Sequence, residues 1–246
     1  MSSNGTVKEQ KQTKLFHWDR IQNIFINPSN TFGSITKDPE WIGPLFIVIL
    51  AAIVFTHIQI PHFLSYQQAH LSQELPEYGV SPENIEKAQE LISEYGALMI
   101  YLGTIAKIFA EFFFVALILL ILNRILTKDK ITFKTWRALS AYSMLIVALG
   151  KIIRIPFILA TQNEKFTFSL SSVWPGAENS SLFLKTLIGL DLFSIWKFFI
   201  LVFGFLMITK IFNLSGNKRA NILIFIASIV LLIILSYFQN LFFQSY

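Results

Sequence analysis

The sequence predicts an all-α polytopic membrane protein, a bundle of five transmembrane helices with a helical outer loop and an N-terminal interfacial helix. Hydrophobic residues make up 54% of the 246 residues, and charged residues make up only 14%, against about 25% in typical soluble domains. The apolar residues stand in long blocks and not in the one-sided stripe of a soluble helix. Lipid is therefore the expected solvent around them.

Five blocks are long enough to cross about 30 Å of hydrocarbon at 1.5 Å per residue. Pro44 suits the beginning of the first helix, and Pro61 is predicted to end it. The predicted spans run from Pro44 to about Ile60, Ala97 to Leu122, Ala138 to Ala160, Leu187 to Phe212 and Asn221 to Phe238.

The distribution of lysine and arginine predicts the orientation of these spans, because cytoplasmic loops carry the excess of basic residues. Thirteen basic residues fall in the N-terminal segment and in the second and fourth connections, whereas only Lys87, Lys165 and Lys185 fall on the other side. We therefore expect the N-terminus in the cytoplasm and the C-terminus outside. The thirteen are Lys8, Lys11, Lys14, Arg20, Lys37, Arg124, Lys128, Lys130, Lys134, Arg137, Lys210, Lys218 and Arg219.

Residues 14–28 predict an amphipathic N-terminal helix. Its polar residues lie away from a face of apolar side chains, so the helix could lie on the cytoplasmic leaflet as an interfacial helix. Packing on the protein's own loops is the alternative, and the pattern favours neither. The apolar face consists of Leu15, Trp18, Ile21, Ile24 and Phe25.

The loop of residues 62–96 predicts a helical hairpin above the outer face of the membrane. Ser81 suits an N-cap and Pro82 a first helical position, and the acids Glu83 and Glu86 suit the positive end of that helix. The second arm of the hairpin could continue into the second span.

These features divide the chain into a cytoplasmic N-terminal segment with the amphipathic helix (1–42), a five-span membrane domain (43–240) and a short outer tail (241–246). The first 40 residues lack a short apolar segment, so we expect no cleavable signal peptide. There is no cysteine, which excludes disulfides and thiolate metal sites.

The sequence contains no motif of an enzyme, and we predict no catalytic residue, no metal and no cofactor. Phosphate-binding glycine loops, zinc-binding motifs and a nucleophile beside a base are all lacking. His62 and His70 share a loop with Glu74 and Glu77, but no metal-specific spacing supports a site. The net charge of +5 is scattered over loops and does not predict nucleic-acid binding.

Six charged residues interrupt the second, third and fourth spans, and the predicted orientation places all six in the outer leaflet. A charge at the centre of a membrane helix costs about 2.5–3.5 kcal/mol on insertion scales, so pairing between helices is expected. The cluster is either a structural network of ion pairs or a water-filled outer cavity for an anionic headgroup or small solute. Its members are Lys107, Glu111, Lys151, Arg154, Asp191 and Lys197.

Three motifs resemble the Yip domain, the family of Ypt/Rab-interacting membrane proteins and their bacterial relatives. The first is "NPSNTFGSITKDPEWIGP", the second is a basic connection followed by Tyr142 and Ser143, and the third is "LDLFSIW", with Asp191 and Trp196. Ala141 before Tyr142 brings the pattern closest to the bacterial branch. The matching residues of the first motif are Asn27, Pro28, Thr31, Phe32, Asp38, Pro39, Trp41 and Pro44.

The resemblance implies an all-helical five-span fold without enzymatic activity. We therefore expect an integral membrane protein that organises or assists other membrane components through protein or lipid partners, in the plasma (inner) membrane if bacterial. The expected partners are the lipid bilayer and other membrane proteins or further copies of the chain, with a Rab-type GTPase only in a eukaryote. The alternative is a small transporter or channel that uses an outward-facing polar cavity.

Overall fold

A computed structural model of the protein describes residues 16–126, 130–161, 166–169 and 191–209, which form six α-helices. No strand occurs in these ranges, apart from an isolated bridge between Ser169 and Asp191. The helices are α1 (Trp18–Ile26), α2 (Pro28–Lys37), α3 (Ile42–Glu74), α4 (Pro82–Leu126), α5 (Phe133–Thr161) and α6 (Leu192–Thr209).

The last four helices, α3 to α6, are long and apolar enough to cross a membrane. They contain the first three predicted spans and the middle of the fourth, whereas the fifth predicted span lies outside the described residues. Large apolar side chains such as Phe46, Phe113 and Phe199 are exposed along them. Apolar surface of this extent is stable in lipid and not in water.

Helices α3 and α4 form the predicted hairpin, but the prediction that Pro61 ends the first helix is wrong. Helix α3 passes through Pro61 and continues to Glu74. An interior proline removes one backbone hydrogen bond, at about 3 kcal/mol. The arm beyond it packs on α4, where Gln89 donates a 2.7 Å hydrogen bond to Ser72.

The turn of the hairpin and the beginning of α4 follow from local residue preferences. Gly79 has a φ of 73°, a left-handed conformation that glycine adopts without the steric cost of a side chain. Helix α4 then begins at Pro82, as predicted, with Glu83 in its first turn. At 1.5 Å per residue its 45 residues span about 68 Å, about twice the hydrocarbon thickness, so its polar first half lies outside the hydrocarbon.

The N-terminal segment folds into two helices that pack against the membrane helices. In α1, Ile24 is fully buried, and Ile21 and Phe25 pack on the core, while Trp18 remains 62% exposed. Most of its apolar face therefore contacts the protein's own helices. Helix α2 is not predicted by the sequence pattern, because Gly33 and its polar neighbours are weak helix formers; burial of Phe32 and Ile35 stabilises it.

Helix α5 is the centre of the bundle and contacts each of the other five helices. Trp136, Tyr142 and Ile146 are completely buried along it. Two glycines allow close approach of neighbouring helices: a Cβ at Gly150 of α5 would lie 2.5 Å from the Phe193 ring of α6. A Cβ at Gly204 would lie 2.5 Å from Leu139. Small residues bring helix backbones close together in this way in membrane bundles.

Gly150→Ala is expected to lower thermal stability in detergent, because the new methyl group overlaps the Phe193 ring. Overpacking of this kind costs about 1–3 kcal/mol. The matched control is Gly103→Ala on α4, where a Cβ would meet no atom within 4 Å, so its melting temperature should stay unchanged or rise slightly. Equal melting temperatures for the two variants, measured by circular dichroism, would contradict the close α5–α6 contact.

Candidate functional site

The six charged residues of the predicted polar cluster lie where α4, α5 and α6 meet. Lys107 and Glu111 are four residues apart on α4, and Lys151 and Arg154 are three apart on α5, so each pair shares a helix face. Lys197 lies in the second turn of α6, and Asp191 immediately precedes that helix. The structure joins members of the cluster by ion pairs between different helices.

Glu111 of α4 pairs with Lys197 of α6. The Lys197 Nζ donates to Glu111 Oε1 at 2.5 Å, and the two side chains are only 2% and 17% exposed. The cluster contains four cations, and the structure pairs Glu111 with Lys197, the most deeply buried of them. Lys197 cannot extend to a polar surface from this position, so the carboxylate is what stabilises its charge.

Arg154 of α5 pairs with Asp191, the residue that precedes α6. The Arg154 guanidinium donates to Asp191 Oδ2, while Asp191 Oδ1 accepts a 2.9 Å hydrogen bond from the backbone N–H of Phe193. Asp191 is therefore the N-cap of α6 as well as an ion-pair partner. Both side chains are less than one-fifth exposed. A single carboxylate thus sets where α6 begins and attaches that end to α5.

Lys151 and Lys107 extend the cluster towards α3. The Lys151 Nζ lies 5.9 Å from the centre of the Phe55 ring of α3, and Lys151 interacts electrostatically with Glu111, Lys107, Arg154 and Lys197. Glu111 interacts with all three lysines. The cluster therefore joins α4, α5 and α6 with four positive and two negative charges, and Lys151 brings it against the Phe55 ring of α3.

Lys107 also lines a groove between α3 and α4. The groove has a volume of about 1070 Å³ and runs along the hairpin from the level of Gln67 and Leu91 to Lys107 and Ala110. Thr56 and Thr104 lie 3.4 Å apart at their hydroxyl oxygens near its inner end. The side chain of Lys107 is thus shared between the ion-pair cluster and an accessible groove.

The first family-like motif forms a second polar cluster, at the junction of the N-terminal helices with the bundle. Arg20 donates to the backbone oxygen of Asp38 at 2.7 Å and to its carboxylate at 3.3 Å, and His17 lies 3.6 Å from the same carboxylate. Thr31 donates to the backbone oxygen of Arg20 at 3.0 Å. These contacts close the α1–α2 pair onto the segment that leads into α3.

The motif aromatics connect this junction to the membrane helices. Trp41 stacks on Phe112 of α4 at 5.2 Å between ring centres, and the Arg137 guanidinium of α5 lies 4.9 Å from the Trp41 ring. Trp196 of α6 meets the Phe25 ring edge to face at 6.1 Å. Asn27 and Pro28 stand at the boundary of α1 and α2, Pro39 precedes α3, and Pro44 is its third residue.

The second motif, Tyr142 and Ser143 of α5, is buried in the interior of the helix bundle. Tyr142 is completely buried in the core of the bundle. The Ser143 hydroxyl donates to the backbone oxygen of Ser140, whose own hydroxyl donates to the backbone oxygen of Phe112 at 3.0 Å. The hydrogen bond from Ser140 ties α5 to α4.

Sequence reasoning missed Arg20 and Arg137 as members of this junction. It used both residues only as positive charges that set the orientation. Arg20 lies close to Asp38 in space, and Arg137 lies close to Trp41, from which it is more than 90 residues away in the chain. The spacing of residues along the sequence gives no indication of these contacts.

A family model, the Yip1 domain, matches residues 23–238 of the chain. Neither a curated protein nor a solved structure matches it. The matched range contains the four long apolar helices and both polar clusters except His17 and Arg20. The family match and the four long apolar helices together identify a multi-pass integral membrane protein.

Glu111→Gln is expected to lower the melting temperature in detergent, because it leaves the buried Lys197 charge without its carboxylate partner. Breaking one partner of a buried pair costs about 3–5 kcal/mol, whereas replacing both is close to neutral. The double variant Glu111→Gln/Lys197→Met should therefore recover much of the lost stability.

The control for this double variant is Glu111→Gln combined with Lys107→Met, which leaves Lys197 charged and should recover less. Equal recovery by the two double variants would show that Lys197 is not the energetic partner of Glu111. A Glu111→Gln variant with wild-type stability would contradict the ion-pair network as a structural element.

Proposed function

Since the chain belongs to the Yip1 domain family, we propose that it is a non-enzymatic membrane protein that organises or assists other membrane components through protein or lipid partners. The supporting observation is the pairing of the two acids in the polar cluster. Glu111 and Asp191 each form an ion pair with a cation of another helix. A paired carboxylate of this kind holds helices together and is a poor general base.

The hairpin of α3 and α4 is the surface that we propose for partner contacts. Its turn extends beyond the apolar part of both helices, and Tyr78 there is 79% exposed. Its acidic second arm is largely exposed, with Glu83, Glu86 and Glu90 facing outward. A projecting helical pair of this type offers surface to another membrane protein or to a second copy of the chain without altering the bundle.

We further propose five spans, with the N-terminus in the cytoplasm and the C-terminus outside, in the plasma (inner) membrane if the source cell is bacterial. The excess of thirteen basic residues over three supports the orientation. Ala141 before Tyr142 supports the bacterial branch. A Rab-type GTPase becomes a candidate partner only in a eukaryotic cell, and the charge pattern supports no nucleic-acid partner.

Cysteine labelling tests the topology cleanly, since the chain has no native cysteine. Glu86 and Thr132 are both exposed, so single cysteines there differ chiefly in the side of the membrane that they face. An impermeant maleimide on intact cells should label Glu86→Cys and miss Thr132→Cys, and both should react after lysis. Labelling of Thr132→Cys alone would reverse the orientation.

The fifth span is tested by Ser245→Cys in the same assay. With five spans the C-terminal tail lies on the side of Glu86, and the cysteine should react on intact cells. With four spans it lies on the side of Thr132 and should react only after lysis. The two outcomes separate the topologies directly.

Site-specific photo-crosslinking tests the role of the hairpin as a partner surface. A photoreactive amino acid at Tyr78 should form covalent adducts with other membrane proteins or with a second copy, detected as mass-shifted bands and identified by mass spectrometry. The control position is Phe112, which is completely buried and should give only adducts within the chain. Identical monomeric products from both positions would contradict a partner surface at the hairpin.

A further inference from the structure

The inner part of the groove between α3 and α4, which lies within the membrane, has a wall of small residues on α4. Gly103, Ala106 and Ala110 line it, and all three are exposed. A Cβ at Gly103 would meet no atom within 4 Å, so the backbone of α4 is open to a neighbour at this point. Small residues of this kind allow a second helix to approach closely in a membrane.

Lys107 lies on the same face of α4, four residues after Gly103 and three before Ala110. It lines the groove beside Thr56 and Thr104, whose hydroxyl oxygens are 3.4 Å apart. These three polar residues belong to the predicted first and second spans, below the level of the headgroup phosphates. An anion that reaches Lys107 from the groove must therefore be carried within the bilayer.

The polar cluster has an excess of positive charge that the predicted spans of this chain do not neutralise. It contains four cations and two acids, and Glu111 and Asp191 are the only acids in the five predicted spans. The sequence after Asp191, which includes the predicted fifth span, contains no aspartate or glutamate. Excess charge in apolar surroundings is costly, so a carboxylate from another protein would stabilise this face of α4.

We propose that the groove binds a transmembrane helix of another membrane protein, which packs on Gly103, Ala106 and Ala110 and places an aspartate or glutamate beside Lys107. The inference rests on the proposed function, for which it states the chemistry of one protein partner and the site that this partner occupies. A carboxylate on a membrane helix reaches this depth, whereas a headgroup phosphate does not. The volume of about 1070 Å³ along α3 and α4 provides room for the side chains of such a helix.

A second copy of the chain does not have the charge that this groove requires. The acids of its spans, Glu111 and Asp191, are each less than one-fifth exposed and form ion pairs with cations of their own bundle. A contact between the grooves of two copies would bring the two Lys107 side chains together without a new carboxylate. Charge complementarity therefore favours a different protein as the occupant.

The first test uses two synthetic transmembrane helices as probes. Both are built from leucine and alanine, and they differ only at the depth of Lys107, where one carries glutamate and the other glutamine. The full-length protein, labelled with a donor fluorophore at Glu86→Cys, is reconstituted in phosphatidylcholine vesicles with acceptor-labelled peptide. Energy transfer should show about tenfold tighter association of the glutamate peptide, because this peptide forms a charge-assisted hydrogen bond.

Two variants of Lys107 test whether this residue is the cation that the glutamate peptide meets. Lys107→Gln should associate equally with the glutamate and glutamine peptides, because the charge that distinguishes them is lost. Lys107→Arg keeps the charge, and its preference for the glutamate peptide should stay within a few-fold of that of the wild type.

The second test fills the groove without changing any charge. Gly103 lines the groove in open space, so Gly103→Leu should fold normally and occupy the position of the incoming helix. Its association with the glutamate peptide should fall several-fold, because the two helix backbones can no longer approach closely. The control is Leu102→Phe, which adds bulk at a neighbouring exposed position outside the groove lining and should associate like the wild type.

Three results would overturn the proposal: equal association of the two peptides with the wild type, a glutamate preference that survives Lys107→Gln, or unchanged association with Gly103→Leu. Energy transfer between two labelled copies of the chain that Gly103→Leu abolishes would assign the groove to a second copy and overturn it as well. Failure of the groove is distinguishable from failure of the proposed function, because hairpin cross-links to other membrane proteins would persist. Loss of both would reject the proposed function too.

Discussion

Charged side chains inside an apolar helix bundle must meet groups of opposite charge, and this constraint determines how the helices of the protein are joined. Lipid supplies no hydrophobic force between membrane helices, so packing and polar contacts must hold them. Lys197 attaches α6 to Glu111 of α4, and Asp191 attaches the same helix to Arg154 of α5 while capping its first turn. Helix α6, the shortest of the four long helices, is thereby held at two levels by two different neighbours.

The N-terminal helices depend on the same arrangement, because they pack on the surface that α5 and α6 form together. Phe32 fits against Gly204, and Trp41 is held between Phe112 and Arg137. The motif residues by which the chain resembles its family are therefore concentrated at contacts between segments far apart in sequence. In the described part of the chain, Phe32 and Trp41 of this set join the N-terminal segment to the bundle.

The hairpin is where the protein departs from a simple bundle. Two membrane helices continue beyond the apolar layer, and the groove between them ends at a lysine of the internal ion-pair cluster.

The sequence by itself determined the all-helical class, the apolar helices, the hairpin and the identity of the six clustered charges. These features depend on the length and spacing of residue types, as at Pro82 and in the pair Lys107 and Glu111. Local patterns could not reveal that Pro61 lies inside a helix or that Phe32 stabilises α2. In both cases packing against distant residues offsets a weak local preference.

The partner of Glu111 was also decided by tertiary structure alone. By spacing and membrane depth, Glu111 could pair with any of the four cations of the cluster, Lys107, Lys151, Arg154 and Lys197. Lys197 is the partner because α6 is rotated about its axis so that this side chain faces the carboxylate. The same rotation brings Trp196 to Phe25. Residue order fixes which side chains share a helix face, but the direction of that face follows from the packing of all six helices at once.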